Sequence, residues 1–332
     1  MSELRLNLIT REWVIIATER AKRPEDFKTA AVRKDIPRYV ETCPFCPGNE
    51  AKTPGETFRI SDANGWKARV VPNKFSAISN SGNKERRVDG LIRSITAVGV
   101  HEVIIETPLH NMNPALLSLE EMEEIVKIYR NRFLEAYSDS RVEHVIIFKN
   151  HGEGAGTSLE HPHSQLIGTP VMPVQFRDRL EAAAHFFDDT GECLMCMMAK
   201  KEKEEKTRIV AEDEHFLTFI PYAALSPFHT WIFPKRHSAS FGDITGAEIK
   251  GLAFSLKDIL SKLYHGLSNP DYNFVIRSNK PKDCNLEYFH WYVSIIPRLS
   301  KAAGFELGSG MYINTSLPEE SAEFLRKVKS EL

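Results

Sequence analysis

The sequence has no long apolar run, no strong excess of charge and few cysteines, and each of these shortages argues against a class of protein. No apolar stretch approaches the roughly 20 residues that a membrane-spanning helix requires. The first residues, Met1 to Arg5, lack the apolar core of a secretory signal. A formal net charge of −2 gives no general attraction to nucleic acid or to anionic lipid. We therefore expect a cytosolic globular protein that binds neither.

The five cysteines are the first informative feature. Four of them form two Cys-x-x-Cys pairs in a chain of 332 residues, and Cys284 stands alone. This spacing indicates metal ligation in a reducing compartment rather than a disulfide framework. We interpret Cys284 as an inert thiol.

Each Cys-x-x-Cys pair opens a pattern that continues with two separate histidines. Two thiolates and two imidazoles suit a closed tetrahedral zinc site. The alternative is a set of buried cysteines and hydrogen-bonded histidines. The predicted ligands are Cys43, Cys46, His110 and His161 for the first site, and Cys193, Cys196, His237 and His290 for the second. The sequence thus predicts two zinc ions per chain, and the ligand types leave iron open at the second site.

The order of apolar segments also repeats. Ser118 with Glu121 predicts a capped helix after the first His segment, and a second helix is expected over about 245–267. Apolar strands are expected at 145–148, 273–276 and 288–299. Several strands follow one another without an intervening helix, which favours antiparallel pairing. We predict an α+β fold of two similar halves, with the boundary near 180–190.

Only the first copy of the pattern carries an additional histidine. His163 follows His161 by two residues, whereas Tyr292 takes the matching place after His290. On an extended strand, His161 and His163 leave the same face, so a metal at His161 fixes its neighbour. A neutral imidazole is a competent nucleophile toward phosphorus. We predict that His163 carries a nucleotidyl group between two substrates, and that Pro162 places the segment at a sheet edge.

A glycine-rich stretch, residues 150–158, precedes this segment. Its alternating glycines allow backbone amides to approach phosphate oxygens, although such stretches are often simple turns. Ser158 and Gln165 are candidates to donate hydrogen bonds to phosphoryl oxygens.

The segment 161–165, His-Pro-His-Ser-Gln, together with Cys43 to Asn49, resembles the galactose-1-phosphate uridylyltransferase family, the transferase branch of the histidine-triad superfamily. The resemblance spans nearly the whole chain. It implies two tandem histidine-triad-like domains with antiparallel sheets and packed helices, 1–185 with the nucleophile and 186–332 as a degenerate repeat, commonly in a homodimer. It also implies that His163 takes a uridylyl group from UDP-glucose and passes it to galactose 1-phosphate, a step of galactose metabolism.

The same resemblance implies substrate contacts. They are Asn150, Ser158 and Gln165 for the α-phosphate, Asn73 for the nucleoside, Arg20 and Arg23 for the sugar phosphate, and Phe305 and Glu306 for the hexose. Phe305 stands where the family has tyrosine, so one hexose-binding hydroxyl is missing. The two arginines can equally be an exposed basic patch.

Three other functions are considered. ADP-glucose phosphorylase, a close relative, transfers an adenylyl group to phosphate with the same nucleophile, and the second Cys/His set resembles its second zinc site. Pro162 favours the uridylyltransferase branch, and Ser164 does not. A histidine-triad hydrolase would have a third histidine where this chain has Gln165, which cannot act as a proton donor to a leaving group. The last alternative is a zinc-stabilised module that binds nucleic acid. Such a module requires a stripe of basic residues, which this chain lacks.

Overall fold

The computed structural model describes residues 2–20, 22–28 and 36–332. The α-helices in this part are α1 (Leu119–Ser138), α2 (Val174–Thr190), α3 (Leu194–Glu205), α4 (Gly246–Gly266), α5 (Gly304–Ser309) and α6 (Pro318–Lys327). The strands are β1 (Glu3–Leu6), β2 (Trp13–Ile16), β3 (Phe58–Asp62), β4 (Gly65–Pro72), β5 (Arg86–Asp89), β6 (Ile92–Ile95), β7 (Val100–Ile105), β8 (His144–His151), β9 (His163–Thr169), β10 (Ile209–Glu212), β11 (Phe216–Phe219), β12 (Thr230–Pro234), β13 (Tyr272–Arg277), β14 (Tyr292–Pro297) and β15 (Tyr312–Asn314).

Ten of these strands form one antiparallel sheet in the order β10-β11-β12-β14-β13-β8-β9-β7-β4-β3. Read outward from the centre, both halves have the same order: β8-β9-β7-β4-β3 and β13-β14-β12-β11-β10. The halves join where β8 pairs with β13, with Phe148 opposite Val275. The predicted α+β class with antiparallel strands is confirmed. The division into domains at residue 185 stays a prediction.

Helices α1 and α4 occupy equivalent places along the chain, since α1 connects β7 to β8 and α4 connects β12 to β13. Both helices cover the same face of the sheet. The predicted capping box of α1 is present, since Ser118 accepts from the amide of Glu121 and Glu121 accepts from that of Ser118. Thr245 and Glu248 form the same arrangement at the start of α4. The apolar sides of both helices join one large buried cluster with the inner residues of the sheet.

The other face of the sheet differs between the halves. Over the second half, Phe176 of α2 and Leu194 and Met195 of α3 join a buried cluster with Trp231, Phe233 and Tyr292. Over the first half, residues of β8 and β9 on this face remain partly accessible, among them Phe148, Asn150 and Gln165. The fold therefore closes one half of this face and leaves part of the other half open.

The remaining strands lie outside the main sheet. β1, β2 and β15 form a three-stranded sheet, and β5 pairs with β6 in a hairpin. None of the helices in the described ranges has the length and apolar character needed to cross a bilayer.

Candidate active site and metal centres

The first Cys/His set is assembled from three parts of the chain. Cys43 and Cys46 lie in the turn before β3, His110 follows β7, and His161 precedes β9. The Cys46 Sγ atom lies 3.5 Å from His110 Nδ1 and 3.6 Å from His161 Nδ1. Tetrahedral zinc, with bonds of about 2.0–2.3 Å, separates its ligand atoms by about 3.3–3.8 Å. The donor set therefore fits a four-coordinate metal ion.

The outer hydrogen bond of His161 favours the same conclusion. Its Nε2 lies 2.7 Å from the carbonyl oxygen of Thr107, to which it donates, so Nδ1 carries the lone pair that faces the two thiols. Burial lowers the pKa of His161 to about 4, which keeps the ring neutral.

The second Cys/His set has the same design. Cys196 Sγ lies 3.2 Å from His237 Nδ1 and 3.3 Å from His290 Nδ1. His237 Nε2 donates to the carbonyl oxygen of Leu286 at 3.0 Å. In both sets the four ligand atoms, with Cys43 and Cys193 included, lie within 4.8 Å of one another. Both groups predicted from sequence can thus hold a metal ion.

His163 is the first residue of β9, and a hydrogen bond to the main chain of His161 holds its ring. Nδ1 donates to the carbonyl oxygen of His161 at 2.8 Å, which leaves the Nε2 lone pair unprotonated. The ring of Phe45 lies edge-on to both rings, with centroids 6.0 Å from His161 and 5.4 Å from His163. Burial lowers the pKa of His163 below its ordinary value, so the neutral form dominates at pH 7. These features give an oriented nitrogen nucleophile.

The expectation that Pro162 marks a sheet edge is wrong. β9 lies inside the sheet, between β8 and β7. Pro162 precedes β9, and its carbonyl accepts from the amide of Glu106 at 3.2 Å. Because the residue needs no N–H there, an interior strand can start directly after it.

Gln165 lies two residues after His163 in β9 and therefore on the same face of the sheet. Its Oε1 accepts from His101 Nε2 at 2.9 Å and from Asn73 Nδ2 at 3.2 Å. The amide of Ala77 donates to His101 Nδ1 at 3.3 Å, which fixes the proton of His101 on Nε2. With its oxygen occupied in this way, Gln165 has its NH₂ group left for a ligand. No motif in the sequence pointed to His101.

The glycine-rich stretch over residues 150–158 includes the turn after β8 and is called the glycine-rich turn below. It is held by residues of the second half. Asn273 Nδ2 donates to Asn150 Oδ1 at 2.8 Å and to the carbonyl of Ala155 at 2.9 Å. The amide of Gly154 donates to Asp271 Oδ2 at 2.7 Å. A Cβ at Gly152, whose φ is +84°, would lie 1.8 Å from Asp271 Oδ1, so glycine is required there. Sequence reasoning missed Asn273 and Asp271 because no pattern links them to residues over 100 positions away.

The remaining predicted substrate residues lie on the surface. Arg20 and Arg23 are exposed, Phe305 is 48% exposed, and Ser158 is exposed in the turn. Glu306 accepts from the amide of Ala303 at 2.9 Å. Within the described ranges, no hydrogen bond or ion pair joins these five to His163, Asn150 or Gln165.

The two halves of the chain match the two domains of one family. The model for "Galactose-1-phosphate uridyl transferase, N-terminal domain" matches residues 1–173, and the model for the C-terminal domain of the same enzyme matches residues 179–329. The chain belongs to the galactose-1-phosphate uridylyltransferase family. The predicted family is confirmed, and with it the class of nucleotidyltransferase.

Relatives within this family include two kinds of enzyme. The chain is 35% identical to ADP-glucose phosphorylase of Arabidopsis thaliana over 98% of this chain and 93% of that protein. It is 29% identical to galactose-1-phosphate uridylyltransferase of Thermotoga maritima over the full length of both. A solved structure of an ADP-glucose phosphorylase from Arabidopsis thaliana with bound ADP-glucose superimposes with a TM-score of 0.84 at 33% identity, covering both chains completely.

Proposed function

We propose that this member of the family is a UDP-glucose–hexose-1-phosphate uridylyltransferase that works through a covalent uridylyl group on His163. The observation that carries the proposal is the His163 ring, whose Nδ1 proton is held by the His161 carbonyl while Nε2 stays free. Such a ring needs no separate base before it attacks phosphorus.

In the first step, His163 Nε2 forms a bond to the α-phosphorus of UDP-glucose. The bond from that phosphorus to the bridging oxygen breaks, and glucose 1-phosphate leaves with the electron pair. In the second step, a phosphate oxygen of the hexose 1-phosphate attacks the same phosphorus, and the bond to Nε2 breaks. The histidine is restored, and a UDP-hexose leaves, galactose 1-phosphate being the proposed acceptor.

The surrounding residues would stabilise charge on the phosphoryl oxygens. The NH₂ groups of Gln165 and Asn150 face the same side of the sheet as His163, and each has its oxygen held by a neighbour. Ser158 would add a hydroxyl donor from the turn. We propose Asn73 as a nucleoside contact, Arg20 and Arg23 as sugar-phosphate contacts, and Phe305 and Glu306 as hexose contacts.

We propose zinc for both metal centres, because two thiols and two imidazoles match its preferred ligands. Closed four-ligand sites of this kind stabilise the fold rather than activate water. In the first site, Cys43, Cys46 and His110 would hold His161, and His161 in turn orients His163. A homodimer and a cytosolic location complete the proposal, and size-exclusion chromatography tests the former.

A second candidate is adenylyl transfer from ADP-glucose to phosphate. The 35% identity to ADP-glucose phosphorylase over 98% of this chain favours it, as does Phe305, which lacks a hydroxyl for a hexose. The first half-reaction would be the same, with adenosine in place of uridine.

One experiment tests both candidates. The protein is mixed with UDP-glucose or with ADP-glucose, and its intact mass is measured before and after addition of galactose 1-phosphate or of inorganic phosphate. We expect a UMP adduct that galactose 1-phosphate removes and that His163→Ala does not form. An AMP adduct removed by phosphate would establish the second candidate, and the absence of any adduct would reject both.

A further inference from the structure

A network of buried polar side chains lies directly behind the nucleophile, on the face of the sheet covered by α1 and α4. Lys149 Nζ donates to Glu106 Oε2 at 2.6 Å and to the carbonyl oxygen of His163 at 2.9 Å. Both side chains are only 1% exposed. Glu106 Oε1 accepts from the hydroxyls of Tyr129 and Ser164, and Tyr129 lies 2.7 Å from each partner. The Lys149 ammonium thus holds the main chain of the nucleophile itself.

The second half shows that the fold does not need this network. Tyr292 begins β14 as His163 begins β9, so Val293 takes the place of Ser164. Val293 pairs with Ile276, which therefore stands where Lys149 does in the first half. By the same register, Pro234 at the end of β12 takes the place of Glu106. Apolar residues and a proline fill all three positions in the half that lacks a nucleophile.

The stability of the fold does not by itself explain why the charged residues Lys149 and Glu106 are buried here. A buried ion pair loses hydration, and well-packed apolar residues in its place are often equally or more stabilising. Here both members of the pair have hydrogen-bond partners, and one bond of Lys149 leads to the residue whose ring must be oriented. The ring of His163 is held by the His161 carbonyl, and the carbonyl of His163 accepts from Lys149.

We propose that Lys149 and Glu106, supported by Ser164 and Tyr129, are positioning residues that keep the His163 main chain fixed while Nε2 bonds to and leaves phosphorus. The inference rests on the proposed nucleophilic role of His163. The side chains of Lys149 and Ser164 lie on the face of the sheet opposite to the His163 ring, and the network acts by restricting the angle from which the ring approaches phosphorus. Small misplacements of a reacting group carry large kinetic penalties.

The double variant Lys149→Met/Glu106→Gln tests the proposal without leaving a buried unpaired charge. The amide oxygen introduced at position 106 can still accept from Tyr129 and Ser164, so we expect the variant to fold with a Tm near that of the wild type. In single-turnover measurements with UDP-glucose, or ADP-glucose if that is the donor, we expect adduct formation to slow by about 10- to 100-fold. The KM for the donor should stay within about twofold, because the network lies on the face of the sheet opposite to the His163 ring and the proposed phosphate contacts. An unchanged rate in the folded variant would overturn the proposal.

A matched control and a milder variant complete the design. Lys262 and Asp258 form another buried ion pair, on α4, at 10% and 5% exposure and without contact to His163. Lys262→Met/Asp258→Asn should leave the adduct rate unchanged, and equal slowing there would show a general loss of rigidity and reject the proposal. If the first double variant does not fold, Ser164→Ala supplies the same test with a smaller expected loss, about three- to tenfold. A wild-type protein that forms no adduct rejects the proposed function, whereas a normal rate in the variants rejects only the positioning role.

Discussion

The two halves of this protein share a strand order and a Cys/His set, but they differ in what covers the sheet beside that set. In the first half, His163 begins its strand next to a partly accessible surface. In the second half, Tyr292 begins the equivalent strand and is 2% exposed under α2 and α3. A Cys/His set can thus lie beside an accessible face of the sheet or beside a face covered by helices. Chemistry requires in addition a nucleophilic ring and an open face beside it.

The second half nevertheless contributes to the site of the first. Asn273 and Asp271 hold Asn150 and the glycine-rich turn from across the β8–β13 junction. Residues of the second half therefore help to hold the candidate site of the first half in place.

The largest expected effect removes the difference between the halves. His163→Ala should lower transferase activity by about 10⁴-fold or more, because the attacking nitrogen is lost. Tyr292→Phe is the matched control in the second half and should change activity less than about twofold. Steady-state assays of both purified variants make the comparison, and comparable losses in the two would show that the halves share the chemistry.

A smaller effect separates the two Cys/His sets. Cys43→Ala and Cys193→Ala should each reduce bound metal from two ions to one per chain, measured by elemental analysis, and each should lower the free energy of unfolding by several kcal/mol. We expect activity to fall by about 10- to 100-fold for Cys43→Ala, because His161 then no longer orients His163. For Cys193→Ala, assayed well below its Tm, the loss should stay under about threefold. The reverse order would contradict the assignment of the halves.

The supporting role of the second half can be tested at Asn273. Asn273→Ala removes the two hydrogen bonds that hold Asn150 and Ala155, so we expect kcat to fall by about tenfold with a modest loss of stability. Asn279→Ala is the control, since the side chain of this buried asparagine accepts from the amide of Lys280 in its own segment. If both variants behave alike, the halves do not cooperate through Asn273.

The smallest expected effect concerns how two buried histidines, His144 and His229, make the stability of the fold depend on acid pH. Burial lowers the pKa of His144 to about 4 and that of His229 to about 3, so both rings are neutral in the folded protein. The unfolded chain takes up protons below about pH 6.5, and folding therefore loses stability as pH falls from about 6.5 toward 4 and then 3. Urea unfolding of His229→Gln should show a shallower decline than that of the wild type over this range. An identical pH dependence would place His229 in a more hydrated environment than the structure gives it.

Short-range features of the site were predictable from sequence. The capping boxes at Ser118 and Thr245 follow from the polarity of residues three apart, and the two Cys/His sets follow from ligand chemistry and repeated spacing. The strand predicted for residues 288–299 proved shorter: β14 starts at Tyr292, so His290 lies in the preceding loop like His161. The approach of His290 Nδ1 to Cys196 Sγ therefore does not depend on the register of a strand.

Residue chemistry and local spacing by themselves predicted the nucleophile, the two ligand sets and the α+β class, because these features depend on residue type and on short-range spacing along the chain. Only the tertiary structure decided that His101 turns Gln165, that Asn273 holds Asn150, and that α2 and α3 cover the second half. These contacts join residues 64 and 123 positions apart and surfaces from separate segments. Such contacts leave no periodicity or spacing in the sequence, since they depend on how the two halves of the sheet meet at β8 and β13.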